Sequence, residues 1–106
     1  MAKTKFSLTA AATFKATVAI PIPGEEKGAD IQVTFRHKSR AEFKAFVEGL
    51  EGRKQPEVLA EIISGWDLED ELNQENLEKL TDNYLGASEA IITTYIDELT
   101  KARRGN

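Results

Sequence analysis

The sequence predicts an α+β fold, in which an N-terminal antiparallel β-hairpin packs on a C-terminal set of about four α-helices. Two runs, 14–22 and 31–36, alternate strictly between apolar and other residues, which indicates half-buried strands. Four later segments instead repeat apolar residues every three or four positions, the period of an amphipathic helix. Because an isolated hairpin is marginally stable in water, its apolar face needs the helices as a cover.

The length of 106 residues is that of one domain. We therefore expect a single domain over residues 1–106, made of a loosely held arm at 1–12, the hairpin at 13–37 and a helical part at 39–106.

The hairpin is expected to have a long connecting loop. Pro21 cannot donate to a strand ladder and marks a strand end or an edge. Residues 23–30 are rich in glycine and charge and contain no large apolar side chain, as is typical of a loop. The apolar face of the hairpin is predicted to consist of Phe14, Val18, Ile20, Val33 and Phe35.

The first two helices are predicted from their start signals. Ser39 and Glu42 have the spacing of a capping box, so a helix is expected over about 40–51. Pro56 suits the first turn of a second helix, expected over about 57–65. The apolar stripe assigned to this second helix is Val58, Leu59, Ile62, Ile63 and Trp66.

Two further helices follow. Asn73 can cap a helix over about 74–84, and Gly86 separates it from a last helix over about 88–103. The residues expected in the core are Phe43, Leu59, Ile63, Leu77, Tyr95 and Leu99.

The residue types argue against catalysis. With no cysteine, the chain has no thiolate nucleophile and no Cys-based metal or cofactor site. The only histidine, His37, lies between Arg36 and Lys38, whose charges disfavour the imidazolium that a general base forms. The acidic run 67–71 lacks the spacing of a calcium loop and is interpreted as a solvated turn. We expect no enzyme activity, no cofactor and no metal.

Net charge and hydropathy argue against nucleic acid and membranes as partners. A net charge of −4 repels phosphate, so nucleic acid is not expected to bind. No stretch approaches the ~20 apolar residues of a membrane span, and no apolar leader follows the first residues. We therefore expect neither membrane insertion nor secretion.

Trp66 has two interpretations that stay open. It ends an apolar stripe at helical spacing and would simply fill the core. It also precedes the acidic link 67–71, and an aromatic side chain in such a place is typical of an anchor for a protein partner.

A resemblance to a known family appears at Gly65-Trp66-Asp67-Leu68. The chain resembles the tail assembly chaperones of long-tailed bacteriophages, in which a helix ends in an apolar run and Gly-Trp and an acidic link follows. The further matching motifs are Thr13-Phe14-Lys15, Pro21-Ile22-Pro23-Gly24, Thr34-Phe35-Arg36-His37, Glu75-Asn76-Leu77, Tyr84 and Ala102-Arg103-Arg104-Gly105-Asn106. They cover most of residues 5–106. Where the family often has proline after the tyrosine, this chain has Leu85-Gly86.

The resemblance implies a protein that acts in the host cytoplasm. It would bind the tape measure protein, and possibly the tail tube protein, keep the former soluble during tail assembly, and be absent from the finished particle. The residues expected to contact such a partner are Trp66, Asp67, Leu68, Asp70, Glu71 and Tyr84. The alternatives are a structural tail or head–tail completion protein that stays in the virion, and a small regulator that would retain DNA or RNA.

Overall fold

The computed structural model describes residues 3–101 and confirms the predicted α+β class. An antiparallel sheet of order β1-β2-β3 carries the helices. The elements are β1 Thr13–Ile20, β2 Ala29–Arg36, α1 Arg40–Glu48, α2 Gln55–Ile62, β3 Ile63–Trp66, α3 Gln74–Asn83 and α4 Ala87–Thr100.

The hairpin forms as the alternation predicts. β1 and β2 pair in one unbroken register, from Thr13 opposite Arg36 to Ile20 opposite Ala29. Of the predicted apolar face, Val18, Ile20, Val33 and Phe35 are buried, and Phe14 is half-buried against the core. The loop needs glycine at one point, because a Cβ atom on Gly28 would lie 2.3 Å from the carbonyl oxygen of Ile20.

The second helix is shorter than the predicted 57–65, and the prediction for its last residues is wrong. α2 ends at Ile62, and the next four residues form β3, which pairs antiparallel with β2. Val33 faces Trp66 and Phe35 faces Ile63, with a bulge between these pairs. The exposed backbone of the β2 edge provides hydrogen-bond partners for this segment, and this tertiary pairing overrides the local helical period.

Arg36 supports the turn from α2 into β3. Its Nη1 lies 2.9 Å, 3.2 Å and 2.8 Å from the main-chain carbonyl oxygens of Ala60, Glu61 and Ile63. Ala60 and Glu61 lie in the last turn of α2, where no further helical amide reaches their carbonyls, and Ile63 is the first residue of β3. Nη1 carries two N–H groups, so at least one of them is shared between two of these three acceptors.

The helix caps were predicted correctly. The Ser39 hydroxyl accepts from the Glu42 amide, and the Glu42 carboxylate accepts from the Ser39 amide, so both bonds of the capping box at α1 are present. The Asn73 side chain accepts from the Asn76 amide at 2.8 Å and caps α3. α1 nevertheless ends at Glu48, earlier than the predicted 51.

The core largely contains the predicted side chains. Leu59, Ile63, Leu77 and Tyr95 are buried, and Leu99 packs half-buried against them. Phe43 was predicted wrongly: it is only half-buried and lies outside the core cluster. The buried residue of α1 is instead Phe46. The two phenylalanines are three residues apart and are neighbours on one side of α1, but the core covers Phe46 and leaves Phe43 at its margin.

Tyr95 is the centre of an aromatic cluster. Its ring stacks on Phe14 with centroids 6.1 Å apart, lies 5.1 Å from Phe35 and meets the Phe46 ring edge-on at 5.7 Å. These contacts join α4 to both strands of the hairpin and to α1. Edge-on and offset rings contribute stability beyond the burial of their area.

The two ends of the described chain differ. Residues 3–12 form neither helix nor strand, and the side chains of Phe6 and Leu8 are 78% and 93% exposed. At the other end α4 stops at Thr100, and Lys101 has a left-handed backbone with φ of 53°. The rest of the predicted helix, residues 102–103, lies outside the described residues, as does Arg104.

Candidate functional site

A largely apolar groove of about 530 Å³ opens between the looped end of the hairpin, the segment after β3, and α3. Its apolar walls are built from parts of the chain that are distant in sequence. The groove is lined by Ile20, Ile22, Ala29, Ile31, Trp66, Leu68, Asp70, Asn76, Lys79, Leu80, Asn83 and Tyr84.

Trp66 both packs on the core and forms one wall of the groove. It is the last residue of β3, and its half-buried side chain contacts the core cluster. The indole Nε1 donates a hydrogen bond of 2.8 Å to the main-chain carbonyl of Asp70. The polar edge of the ring is therefore held by the acidic link, while part of its surface remains open to the groove.

Asp67 has a structural position in the sheet. Its amide donates to the Gln32 carbonyl at 3.1 Å, and its carboxylate Oδ1 accepts from the Gln32 amide at 3.0 Å. The pair continues the ladder between β2 and β3 by one residue beyond Trp66. Asp67 does not line the groove.

The remaining residues of the acidic link have different roles. Leu68 is half-buried and lines the groove, and the exposed Asp70 lies at its rim. Glu71 is exposed outside the groove, and its main-chain carbonyl accepts from the Asn76 side chain at 2.6 Å. The link is thus held at both ends, by the sheet and by α3.

Tyr84 and Leu85 form the apolar rim at the end of α3. Tyr84 lines the groove and is 37% exposed, and the neighbouring Leu85 is 84% exposed. Gly86 lets this corner approach the hairpin, because a Cβ there would lie 3.1 Å from Cγ of Pro21. Exposed apolar side chains beside an apolar groove are typical of a surface that contacts another protein.

The structure places four of the six predicted partner-binding residues in one groove, and does not place Asp67 or Glu71 there. The contribution of Ile22, Ile31 and Leu80 was missed. Their apolar character is visible in the sequence, but only the packing of the hairpin end against α3 brings them together. The predicted residues that line the groove are Trp66, Leu68, Asp70 and Tyr84.

The carboxylates with altered pKa have structural partners. Hydrogen bonds from the amide and hydroxyl of Ser39 lower the pKa of Glu42. A hydrogen bond from Lys38, joined by one from Arg53, lowers the pKa of Glu61 despite its partial burial. The ion-pair distances from Glu61 are 2.7 Å to Lys38 and 2.6 Å to Arg53. Each carboxylate therefore has an explanation in a helix cap or an ion pair.

Side chains that could bind a metal ion do not cluster in the described part of the chain. Within residues 3–101, no three His, Asp or Glu side chains converge in a way that could hold a metal ion. The side chain of His37 is exposed, while its amide donates to the Ala12 carbonyl at 2.9 Å. None of the helices in this range has the length and apolar character needed to cross a membrane.

Comparison with known proteins agrees with the resemblance drawn from the motifs. Neither the curated proteins nor the solved structures contain a significant match to the chain. A family model described as phage tail assembly chaperone matches residues 1–106, and thus the whole sequence given. The chain therefore belongs to the phage tail assembly chaperone family.

Proposed function

We propose that this protein binds the tape measure protein of its phage in the host cytoplasm, keeps it soluble while the tail tube assembles, and leaves before the particle is complete. Membership of a chaperone family, a non-enzymatic role, supports protein partners in tail assembly. The tail tube protein is a possible second partner. No enzyme activity, cofactor, nucleic acid or membrane takes part in this function.

The observation that carries the proposal is the apolar groove. Ile20 and Ile31 form its buried base, while Leu80 and Trp66 are half-buried in its walls. A volume of about 530 Å³ is within the range of ligand clefts and accepts a few large apolar side chains. An amphipathic helix can place the apolar residues of one face in such a groove.

The apolar surface continues outside the groove. Leu85 is the most exposed large apolar residue on the folded body of the described chain and adjoins Tyr84 on the rim. A client helix that is seated between the walls would cover both side chains. Burial of this surface would stabilise the complex, because apolar area removed from water contributes ~25 cal/mol per Å².

The charge of Asp70 at the rim of the groove is compatible with both selection and release of a client protein. Asp70 is exposed at the edge of the groove, where a carboxylate favours a client with a nearby Lys or Arg side chain. An exposed charge is screened and adds little affinity. The complex then depends mainly on a modest apolar contact, which tail tube subunits can displace without a nucleotide.

Co-expression with the tape measure protein of the same phage tests the proposal. The soluble fraction of the tape measure protein should rise, and the two proteins should elute as one complex on size exclusion without added nucleotide or metal. The complex should persist at 1 M salt, where the Debye length is ~3 Å and charge pairs are weak. Leu85→Glu should reduce the soluble fraction, because it puts charge in the apolar surface.

Val47→Glu is the matched control. Val47 is also an exposed apolar residue, at 43%, but it lies on α1 and does not line the groove. It should leave capture unchanged. If the tape measure protein stays equally insoluble beside abundant, folded partner, the chaperone role is wrong and a structural tail or head–tail completion protein takes its place. Mass spectrometry of purified particles then decides, since a chaperone should be missing from them.

A further inference from the structure

We propose that the outer edge of β1 binds an extended segment of another protein, which adds to the sheet as a further antiparallel strand. The segment would alternate between apolar and polar residues and carry an acidic residue opposite Lys15. Within the described residues, β1 is at one end of the sheet order and pairs only with β2. The second edge of β1 is therefore a row of backbone groups whose natural partner is another strand.

The hydrogen bonds of β2 show which backbone groups of β1 face outward. The amide of His37 donates to the carbonyl of Ala12 at 2.9 Å, so every second residue after Ala12 also bonds to β2. The amide and carbonyl of Gln32 instead bond to Asp67, on the side of β2 away from its register partner Thr17. Both observations give the same alternation. The residues whose amides and carbonyls point away from the sheet, here called the edge residues, are Thr13, Lys15, Thr17 and Ala19.

The edge residues are accessible to a partner. All of their side chains are exposed, and no hydrogen bond within residues 3–101 reaches their outward amides or carbonyls. The arm that precedes β1 forms neither helix nor strand. The row from Thr13 to Ala19 spans ~20 Å without a bulge, which is long enough for a typical strand. None of the edge residues lines the groove, so this surface does not depend on the proposed function.

The opposite edge of the sheet is less suitable for an added strand. β3 has only four residues, and a bulge interrupts its register with β2. Short length and bulges are common ways in which proteins protect a sheet edge from pairing. β1 has eight residues in one unbroken register and lacks both of these protections.

Lys15 determines the charge that the added strand needs. It is the only charged residue of β1, and it pairs with no carboxylate within residues 3–101. A lysine at a sheet edge disfavours a strand that places a cation opposite it, whereas a carboxylate there forms a favourable cross-strand pair. The other edge residues are threonine and alanine, which leave room for a neighbouring strand.

The helix over β1 determines where the added strand should be apolar. α4 packs on β1, and Tyr95 stacks on Phe14 with centroids 6.1 Å apart. Beside the buried side of α4, a stripe at helical spacing is only half-buried, and it consists of Ile92, Ile96 and Leu99. Every second side chain of the added strand would lie on the same side of the sheet as α4. Apolar residues at these positions would extend the core beyond β1, with polar residues on the solvent side.

Amide hydrogen exchange of the full chain, measured by NMR with a synthetic peptide, tests the proposal. The probe is a capped peptide that alternates valine and threonine, with one central threonine replaced by glutamate. Its valine amides are methylated, because in the bound strand they face away from β1 and would otherwise let peptides stack on each other. Without peptide, the amides of the edge residues should exchange faster than those of Ala16 and Val18. With peptide, exchange should slow at the edge residues.

Thr17→Pro tests the backbone contact. It removes a central outward donor, and a proline is tolerated where the amide of an edge strand faces solvent. Affinity for the peptide should fall by on the order of tenfold. Far-ultraviolet circular dichroism checks that the variant is folded.

Lys15→Glu tests the charge preference without changing the backbone. It should weaken binding of the glutamate peptide by about fivefold and favour a peptide with lysine in that place. Lys27→Glu makes the same charge change at an exposed position of the hairpin loop and should bind both peptides as the wild type does.

Three outcomes would overturn the proposal. The first is a wild type that does not bind the peptide, or binds it no better than Thr17→Pro and Lys15→Glu do. The second is protection of α3 amides in place of the edge residues, because the peptide would then be in the groove. The third is protection of the edge residues that rises with protein concentration alone, because a second copy would then occupy the edge. Capture of the tape measure protein is not measured, so its failure would leave these outcomes unchanged.

Discussion

The phenol oxygen of Tyr95 lies 2.7 Å from the main-chain carbonyl oxygen of Arg36, to which it donates a hydrogen bond. Tyr95 is fully buried on α4, and Arg36 is the last residue of β2. The side chain of Arg36 meanwhile donates to the carbonyls at the end of α2. One residue of the sheet thus connects two helices and positions β3, whose last residue is Trp66 in the wall of the groove.

Tyr95→Phe removes this hydrogen bond and keeps the ring. The carbonyl of Arg36, at a partly buried hydrogen bond, then loses its side-chain donor, so we expect the free energy of unfolding to fall by about 1–2 kcal/mol. Urea denaturation measures the change. Tyr84→Phe is the control, because the Tyr84 hydroxyl has no hydrogen bond within the described chain, and its unfolding free energy should stay within about 0.5 kcal/mol of the wild type. Equal losses for both variants would contradict the role of this bond.

The same tyrosine predicts a loss of stability in alkali. Burial, reinforced by the negative charges of Glu61 and Glu42, raises the pKa of Tyr95 from 10.0 to about 12. The folded state holds the phenol proton more tightly than the unfolded state, so this contribution is complete below pH 10 and disappears as the pH rises towards 12. We expect the stability of wild type relative to Tyr95→Phe to decline by on the order of 2 kcal/mol in this window. A constant difference would refute the pKa shift, and the variant corrects for other groups that titrate there.

Arg36→Met tests the support of the α2 end. The variant retains an apolar stem of similar length but leaves the carbonyls of Ala60, Glu61 and Ile63 without the guanidinium donor. Hydrogen bonds to a charged group contribute ~1.5–3 kcal/mol, so the unfolding free energy should fall by about that amount. Arg40→Met, at an exposed position on α1, should change it by about 0.5 kcal/mol or less. Thermal and urea unfolding compare the two.

The ion pairs of Glu61 predict a loss of stability in acid. Its pKa is lowered by hydrogen bonding to Lys38 and Arg53, so its ion pairs stabilise the fold above the ordinary value of 4.5 and are lost as the pH falls through the lowered value. Glu61→Gln should therefore be less stable than wild type at neutral pH by up to about 1 kcal/mol, and the difference should vanish in acid. Glu75→Gln, in a more exposed pair, should show a smaller difference. If the stability difference between wild type and Glu61→Gln persisted at low pH, packing and not charge would be responsible for it.

The fold was predictable where local and tertiary preferences agree. The alternation in the hairpin and the caps at Ser39 and Asn73 are local signals that the structure retains. The helix prediction for Ile63–Trp66 was wrong because the apolar residues of this segment fit both a helical period and a short strand. The choice depended on the open edge of β2 and on Arg36 ending α2, neither of which is visible in the segment itself.

The candidate site was predictable only in part, for a related reason. Trp66 and Tyr84 are prominent residues beside helix breaks, and both line the groove. The sequence could not distinguish Asp67 from Asp70, because both are acidic residues of one exposed link. The distinction depends on whether the carboxylate meets the Gln32 amide or the groove, and only the fold determines that.

The different positions of Asp67 and Asp70 predict that Asp67→Ala and Asp70→Ala differ in their effect on stability. Asp67→Ala removes the acceptor of the Gln32 amide and should lower the unfolding free energy by about 0.5–1.5 kcal/mol. Asp70→Ala removes a side chain that has no partner within residues 3–101, so stability should stay within about 0.5 kcal/mol of the wild type. Urea denaturation of the purified variants measures both values.

For capture of the tape measure protein, we expect the larger effect from Asp70→Ala and the smaller effect from Asp67→Ala. Asp70 lies on the rim of the groove, so its loss should weaken capture slightly at low salt and leave capture at 1 M salt unchanged, with the fold intact. Asp67 lies in the sheet, so per folded molecule its variant should capture as the wild type does. Co-expression at a temperature where both variants are folded gives the comparison. If Asp67→Ala abolishes capture while Asp70→Ala does not, the client must contact the outer side of the link, and the groove is not its binding surface.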